Sequence, residues 1–201
     1  LRIEEDSKNS EGIRCWIDEL IWREFYANIL HCFPRLSMGY AFQEKTENIL
    51  WREDANDLLS WQTGTTGIPI VDAFMRQLKN TGWMHNRGRM ITAMFLSKNL
   101  LIDWREGEKW FMTHLIDGDF AANNGGWQWS ASTGTDAVPY FRIFNPVLQS
   151  QKIDPDGVFI KTWCPELVHL DRKQIHQPLK TAIVDLKTSR IRAIDAFKSL
   201  Q

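Results

Sequence analysis

The residues best suited to chemistry lie between Asp117 and Trp129. Asp117 and Asp119 bracket Gly118; Asn123 and Asn124 precede Gly125 and Gly126, with Trp127 and Trp129 beyond. Carboxylates and carboxamides bond the N–H and C=O edges of a heterocycle. Glycines let a backbone approach a flat ligand closely. The plainer alternative is a capped loop between helices, because loops favour the same residue types. Arg89 carries the charge to pair with one of the aspartates. A second group, Trp83, Asn86, Met90, Ala93 and Ser97, shares one face at helical spacing, with Arg87 and Arg89 at its flanks. An asparagine in a pocket offers donor and acceptor together, which suits a nucleobase edge, and Met90 adds a soft apolar contact. The alternative is an ordinary core stripe with solvated arginines. A third group, Trp16, Glu19, Trp22, Arg23 and Tyr26, also falls on one helical face, with Ile17, Leu20, Ile21 and Asn28 opposite. It reads either as a buried helix with one Glu19–Arg23 pair or as the wall of a ligand cavity.

These groups must be positioned by helices. Little of the chain alternates with period two, and most segments show helical spacing with caps. A long helix is expected from Ile13 to Leu30, closed by Pro34. Residues 41–53 read as irregular, and Asp54–Gln62 as a short helix ended by Gly64. Pro69 suits a first helical turn, and that helix runs to about Asn80 with Gly82 as C-cap. Trp83–Leu100 follows as one helix. Asp103 and Glu106 suggest a capping box for a helix reaching Ile116. Residues 139–162 read as loop and turn, and Thr188–Leu200 as a final helix. The fold class is all-α, with residues 1–13 as a polar lead-in to one domain over 14–201.

Composition narrows the function. The net charge of −1 gives no global field for nucleic acid, so contact with phosphates needs a local basic rim such as Arg87, Arg142, Lys152 and Lys161. Cys15, Cys32 and Cys164 show no metal-ligand spacing, which favours reduced thiols in an intracellular protein. No apolar run approaches the roughly 18 residues of a membrane span. The phosphate-binding, zinc and nucleophile-elbow motifs are absent; TGTTGIP lacks the lysine of a phosphate loop and reads as a helix-linking turn. Ten tryptophans in 201 residues are more than a core needs, and each brings an N–H that wants a partner.

The blocks WIDELIWREFY, GIPIVDAFMRQL, TGWMHNRGRM and LLIDWREGEKWFMTHLIDGDFAANNGGWQWSASTGTDAVPYFRIFNP closely resemble the photolyase family, over residues 14 to 167 and in the family's order. The resemblance implies FAD bound in a folded shape at the centre of a helical domain, with a damaged dinucleotide flipped into a cavity above it. It implies light-driven electron transfer from reduced flavin to a cyclobutane pyrimidine dimer, the cofactor carrying the chemistry. By the same resemblance, Asn123 faces flavin N5, and Asp117, Gly118 and Asp119 meet the isoalloxazine edge with Arg89 paired to Asp117. Trp16, Glu19, Trp22, Arg23 and Asn86 stand on the cofactor side. Glu19 and Asn86 also bond the dimer bases, Trp22 and Trp129 grip the lesion, and Met90 supplies a thioether contact. Arg87, Arg142 and Gln149 meet DNA. Trp127, Trp104 and Trp51 match a three-step electron chain to the surface, leaving Trp61, Trp83, Trp110 and Trp163 as packing. The resemblance further implies a monomer working on damaged DNA in the cytoplasm or nucleus. The family's amino-terminal antenna domain and a Ser/Thr-rich loop for the FAD phosphates are not in this sequence, and LDRKQIHQPLKTAIVDLK looks shortened, so a fragment is expected. The competing reading is a cryptochrome-like photosensor, against which Asn123 argues. Asn86 and Met90 stand where a further photolyase class has a histidine pair. A folded but inactive remnant is the plainest option.

Overall fold

The computed structural model describes residues 11–137 and 139–200. Most of the polar lead-in, residues 1–10, lies outside the described residues; Glu11 to Ile13 already form the first turn of a helix. Among the described residues the chain is helical, with no strand. The α-helices are α1 (Glu11–Cys32), α2 (Ala55–Thr63), α3 (Pro69–Thr81), α4 (Asn86–Met94), α5 (Trp104–His114), α6 (Phe120–Ala131), α7 (Pro146–Ile153), α8 (Val158–Trp163) and α9 (Leu186–Lys198). Among the described residues, no helix is long and apolar enough to cross a membrane.

Where caps set the boundaries, the expected elements form. The Asp54 carboxylate accepts from the Asn56 and Asp57 amides to start α2, and Gly64 ends it with φ +67°. Pro69 opens α3, and Gly82 closes it in the left-handed region. TGTTGIP is a helix-linking turn. The buried Asp72 carboxylate accepts from Thr66 N (2.7 Å), Thr66 Oγ1 (2.6 Å) and Gly67 N (2.9 Å).

Four expectations are corrected. The Gly- and Asn-rich stretch is not a loop: residues 120–131 form α6, capped by Asp119 through Ala122 N at 2.8 Å. Residues 139–162 are not all loop, since Asn145 caps α7 and Gly157 precedes α8. The helix expected from Trp83 starts at Asn86, capped by His85, and at Phe95 it widens into a π-helix that ends at Leu100. The Asp103 carboxylate does cap α5, but through Arg105 N, while Glu106 N bonds the Asp103 carbonyl; the reciprocal box does not form.

Helix α6 is the hub. It packs against α1, α4 and α5, while α3 packs against α2, α4 and α8. Two contacts require a glycine. A Cβ on Gly107 of α5 would lie 2.0 Å from the Trp127 ring, and one on Gly125 would lie 2.1 Å from the Tyr26 ring of α1. On α4, Gly88 faces Phe74 of α3, whose ring would lie 2.4 Å from a Cβ there. Trp61, Trp104 and Trp127 fill the core, and Trp61 donates its Nε1–H to the Thr92 carbonyl at 3.0 Å.

Cys164 is buried, and loss of solvation pushes its thiol up to about 12, whereas Cys15 and Cys32 are exposed. Thiolate, not thiol, reacts. A thiol reagent at neutral pH is therefore expected to label two cysteines in the native chain and the third only in denaturant. Equal labelling rates for all three would show that Cys164 is not shielded.

Candidate functional site

A cavity of about 580 Å³ opens between α1, α4, α5 and α6, within the few-hundred to thousand Å³ range of small-molecule sites. Each group picked out in the sequence contributes to it, but not every member does. Glu19, Trp22, Arg23, Asn86, Arg89, Met90, Asp117, Gly118, Asp119, Asn123, Trp127 and Trp129 all line it. Trp16, Arg87, Arg142 and Gln149 do not; the first three are exposed and Gln149 is half-buried on α7. Ser97, grouped with Asn86 and Met90 by spacing, is buried and bonded back to the Ala93 carbonyl.

The first helix is neither a buried helix nor one held by a Glu19–Arg23 pair. It has no buried residue, and Arg23 bonds the adjacent Glu24 instead, at 3.2 Å with both side chains in solvent. Such a pair contributes little. Trp22 stacks on Tyr26, with centroids 5.8 Å apart and planes 28° apart, which fixes an aromatic wall on the cavity. Burial raises the Tyr26 phenol above its usual range, with Asp136 and Glu19 adding to the effect.

The acidic edge is built by two helix ends. One guanidinium nitrogen of Arg89 donates to both Asp117 oxygens (3.0 and 2.8 Å), while Arg89 Nε donates to the Met84 carbonyl at 2.8 Å. Asp119 does double duty: it lines the cavity and caps α6, so its carboxylate sets the position of the helix carrying Asn123. The Asn123 amide is oriented from behind. Its Nδ2 donates to the Glu108 carbonyl at 3.0 Å, leaving Oδ1 as the free acceptor. Behind it Asn124 Nδ2 donates to the Glu108 carboxylate (3.0 Å), and Gln128 Nε2 donates to Asn124 Oδ1 (2.8 Å). Burial raises the Glu108 carboxyl above the usual carboxylate range.

Two observations test the cavity for a flat heterocycle. A Cβ on Gly126 would meet nothing within 4 Å, so α6 presents bare backbone to the cavity there. Trp127, at 2% exposure, has a buried Nε1 with no hydrogen-bond partner among the described residues. A lining of indole faces, a bare backbone strip, an oriented carboxamide and an Arg–Asp edge fits an isoalloxazine ring.

Of the three tryptophans of the expected electron chain, Trp127 borders the cavity, Trp104 is fully buried and Trp51 is half-buried. The aromatic rings in direct contact with Trp127 are Phe111 at 5.0 Å and Trp61 at 5.9 Å, both T-shaped.

Residues 16–199 match the family described as the FAD binding domain of DNA photolyase. The chain belongs to this family. It is 53% identical over 196 residues to the deoxyribodipyrimidine photo-lyase of Escherichia coli, covering 92% of this chain and 42% of that one. It is 58% identical over 169 residues to that of Vibrio cholerae, covering 84% and 36%. The chain thus spans less than half the length of these relatives. Among solved structures it is similar to a class III photolyase of Agrobacterium tumefaciens, with TM-score 0.90 and 44% identity over 95% of this chain and 43% of that one. It is also similar to a Synechocystis cryptochrome, with TM-score 0.85 and 35% identity over 96% and 43%. A photolyase and a cryptochrome therefore both share this fold.

Sequence reasoning missed several members of this photolyase-family cavity. Trp83, read as packing, is 43% exposed and lines it. Phe111, Ala122 and Ser130, not picked out in the sequence, line it as well, beside Tyr26 and Gly126, which were. The spacing of α6 held the signal for three of these: Ala122, Gly126 and Ser130 continue the face of Asn123, a face hidden once the stretch is read as loop.

Proposed function

We propose that this chain is the flavin-holding and lesion-receiving part of an intracellular, monomeric photolyase that repairs cyclobutane pyrimidine dimers in DNA. The observation that carries the reading is the Asn123 amide, held from behind by Glu108 and aimed into a cavity of bare backbone and indole faces. Three cysteines without a disulfide support a reducing compartment.

Reduced FAD, when bound, supplies a photoexcited one-electron donor and takes the electron back. This chain's residues do the rest. Asn123 Oδ1 accepts from the N–H at the reactive edge and so orients the ring. Asp117, neutralised by Arg89, and Asp119, committed to the α6 cap, bond the pyrimidine-like edge without adding a loose charge. Trp127, Trp104 and Trp51 form the route by which electrons reach the ring from the surface. At the mouth Trp22, Trp129 and Met90 exclude water around an extruded dinucleotide, while Glu19 and Asn86 bond its base edges. No side chain needs to transfer a proton for a cyclobutane ring to open. Arg87 and Arg142, both exposed, lie outside the cavity, where phosphates would pass; binding should therefore weaken as salt rises.

The test is to add FAD to the purified chain, reduce it, and supply an oligonucleotide carrying one dimer in the dark and under blue light. Flavin uptake with light-dependent repair is expected. No uptake would leave a folded remnant; uptake without repair would move the chain to a sensor role. Trp22→Ala is expected to weaken binding of the damaged oligonucleotide by about 1–3 kcal/mol, the usual worth of one stacking partner. Equal affinity of the variant and the parent for damaged DNA would remove Trp22 from the wall.

A further inference from the structure

Beyond Trp51, the outer member of the tryptophan route, lies an aromatic stack to which the proposed function assigns no task. Trp51 meets Phe197 of α9 edge-on, with centroids 6.4 Å apart and planes 81° apart. Tyr140 lies parallel to the same Phe197 ring, at 6.1 Å and 3°. Tyr140 is half-buried, so the stack runs from Trp51 to a phenol in contact with solvent. The third partner of Phe197 is unusual: Lys98 Nζ sits 3.4 Å from its centroid, on a side chain with no exposed surface.

We infer that Tyr140 is the outer electron donor of this chain, refilling Trp51 through the Phe197 contact. The inference rests on the reading of Trp51 as the end of the tryptophan route. Removal of one electron from that route by a photo-oxidant of the isoalloxazine class leaves Trp51 as an indole radical cation. One electron then passes from Tyr140 to Trp51, restoring a closed-shell indole. The phenolic proton leaves to water, and a neutral phenoxyl radical remains on Tyr140. Charge and mass balance, and the positive charge ends in bulk solvent.

Lys98 gives this direction a physical cause. Its ammonium donates to the Ala131 carbonyl at 3.0 Å and to Ser132 Oγ at 2.9 Å, at the electronegative carboxyl end of α6. The π-face of Phe197 completes the shell. Burial favours loss of the Lys98 proton, but two oxygens at a helix carboxyl end and an aromatic face are the surroundings of a bound cation. With no carboxylate paired to it among the described residues, this cation lies one ring away from Trp51 in a low-dielectric interior, where like charges repel strongly. Positive charge on Trp51 is therefore disfavoured, whereas a neutral phenoxyl on Tyr140 is not.

Two measurements test this. In flash photolysis of the chain loaded with oxidised FAD, read by transient absorption and electron paramagnetic resonance, the parent should finish with a phenoxyl signal. Tyr140→Phe should finish with an indole radical. A phenoxyl signal that persists in Tyr140→Phe, or an indole radical at Trp51 that decays in the parent without any phenoxyl, overturns the inference. The second measurement needs no flavin. Azide radicals generated by pulse radiolysis remove one electron from indoles, and phenoxyl should then grow in at the expense of the indole radical. That growth should be lost in both Tyr140→Phe and Trp51→Phe; undiminished growth in either overturns the inference. If photolysis yields no radical at Trp51 while the radiolysis result holds, the tryptophan route fails and the Trp51–Tyr140 transfer stands.

Discussion

Trp127→Phe should abolish light-driven reduction of added oxidised FAD, yet leave repair largely intact when the flavin is chemically reduced beforehand. A phenyl ring is far harder to oxidise than an indole, so the route is cut at its first member. The grip proposed for Trp22, Trp129 and Met90 on the lesion does not depend on that member. Folding should change little. The phenyl ring keeps apolar contact with Phe111 and Trp61, and the substitution removes a buried N–H that has no partner, a group whose burial costs about 1–3 kcal/mol. This relief offsets the small cavity left by the lost ring. Photoreduction at the parent rate, measured by bleaching of the flavin band, would show that electrons enter elsewhere, and the T-shaped contact of Trp61 with Trp127 would be the next place to look.

The second large effect concerns two glycines, Gly107 of α5 packed against the Trp127 ring and Gly126 of α6 open to the cavity. Gly107→Ala puts a methyl 2.0 Å from the Trp127 ring. Overpacking of this kind costs about 1–3 kcal/mol, against a gain of about 1 kcal/mol from better helix propensity. The melting temperature should fall, by roughly 2–4 °C for each kcal/mol of net loss in a chain of this size. Gly126→Ala should do the reverse. Its methyl meets no atom within 4 Å, so the helix keeps the gain of about 1 kcal/mol and the melting temperature rises. The same methyl fills the bare strip of the cavity, so flavin uptake should weaken. Thermal melts and flavin titrations of the two variants separate the predictions. A Gly126→Ala chain that is more stable and binds flavin as well as the parent would mean the ring does not lie on that strip.

These glycines also explain where the sequence could and could not be read. Helices α2 and α3 were legible because each carries its own punctuation: Asp54 and Gly64 for one, Pro69 and Gly82 for the other. Helix α6 was not, because Gly125 and Gly126 each lower helix propensity by about 1 kcal/mol. The compensation is tertiary: the Tyr26 ring against Gly125 and the cap from Asp119. For α7 the proline was read as loop although Asn145 and Pro146 make a regular N-cap and first turn. At the site, spacing grouped Trp83 with Asn86, Met90 and Ala93, which all line the cavity, whereas the family resemblance left Trp83 as packing and put Trp16, which does not line it, on the cofactor side. The chain leaves α3 at Gly82 and re-enters a helix only at Asn86. Trp83 therefore sits on the connection, at the cavity rim, and not on the face of a longer helix. The π-helix over Phe95–Leu100 has no simple periodic signature; the buried Lys98 and Asn99 fall within it.

Over 22 residues α1 buries none of its side chains fully, although its Trp22 and Tyr26 border the cavity. A helix seated this lightly opens at little free-energy cost, so its amides should exchange with deuterium sooner than those of α3, which has eight buried residues. A guest that touches α1 and α6 together binds only the closed form, and its affinity is then converted into protection of that helix. Loading and local folding become one equilibrium, and the exchange rate of α1 becomes a gauge of occupancy that needs neither light nor DNA.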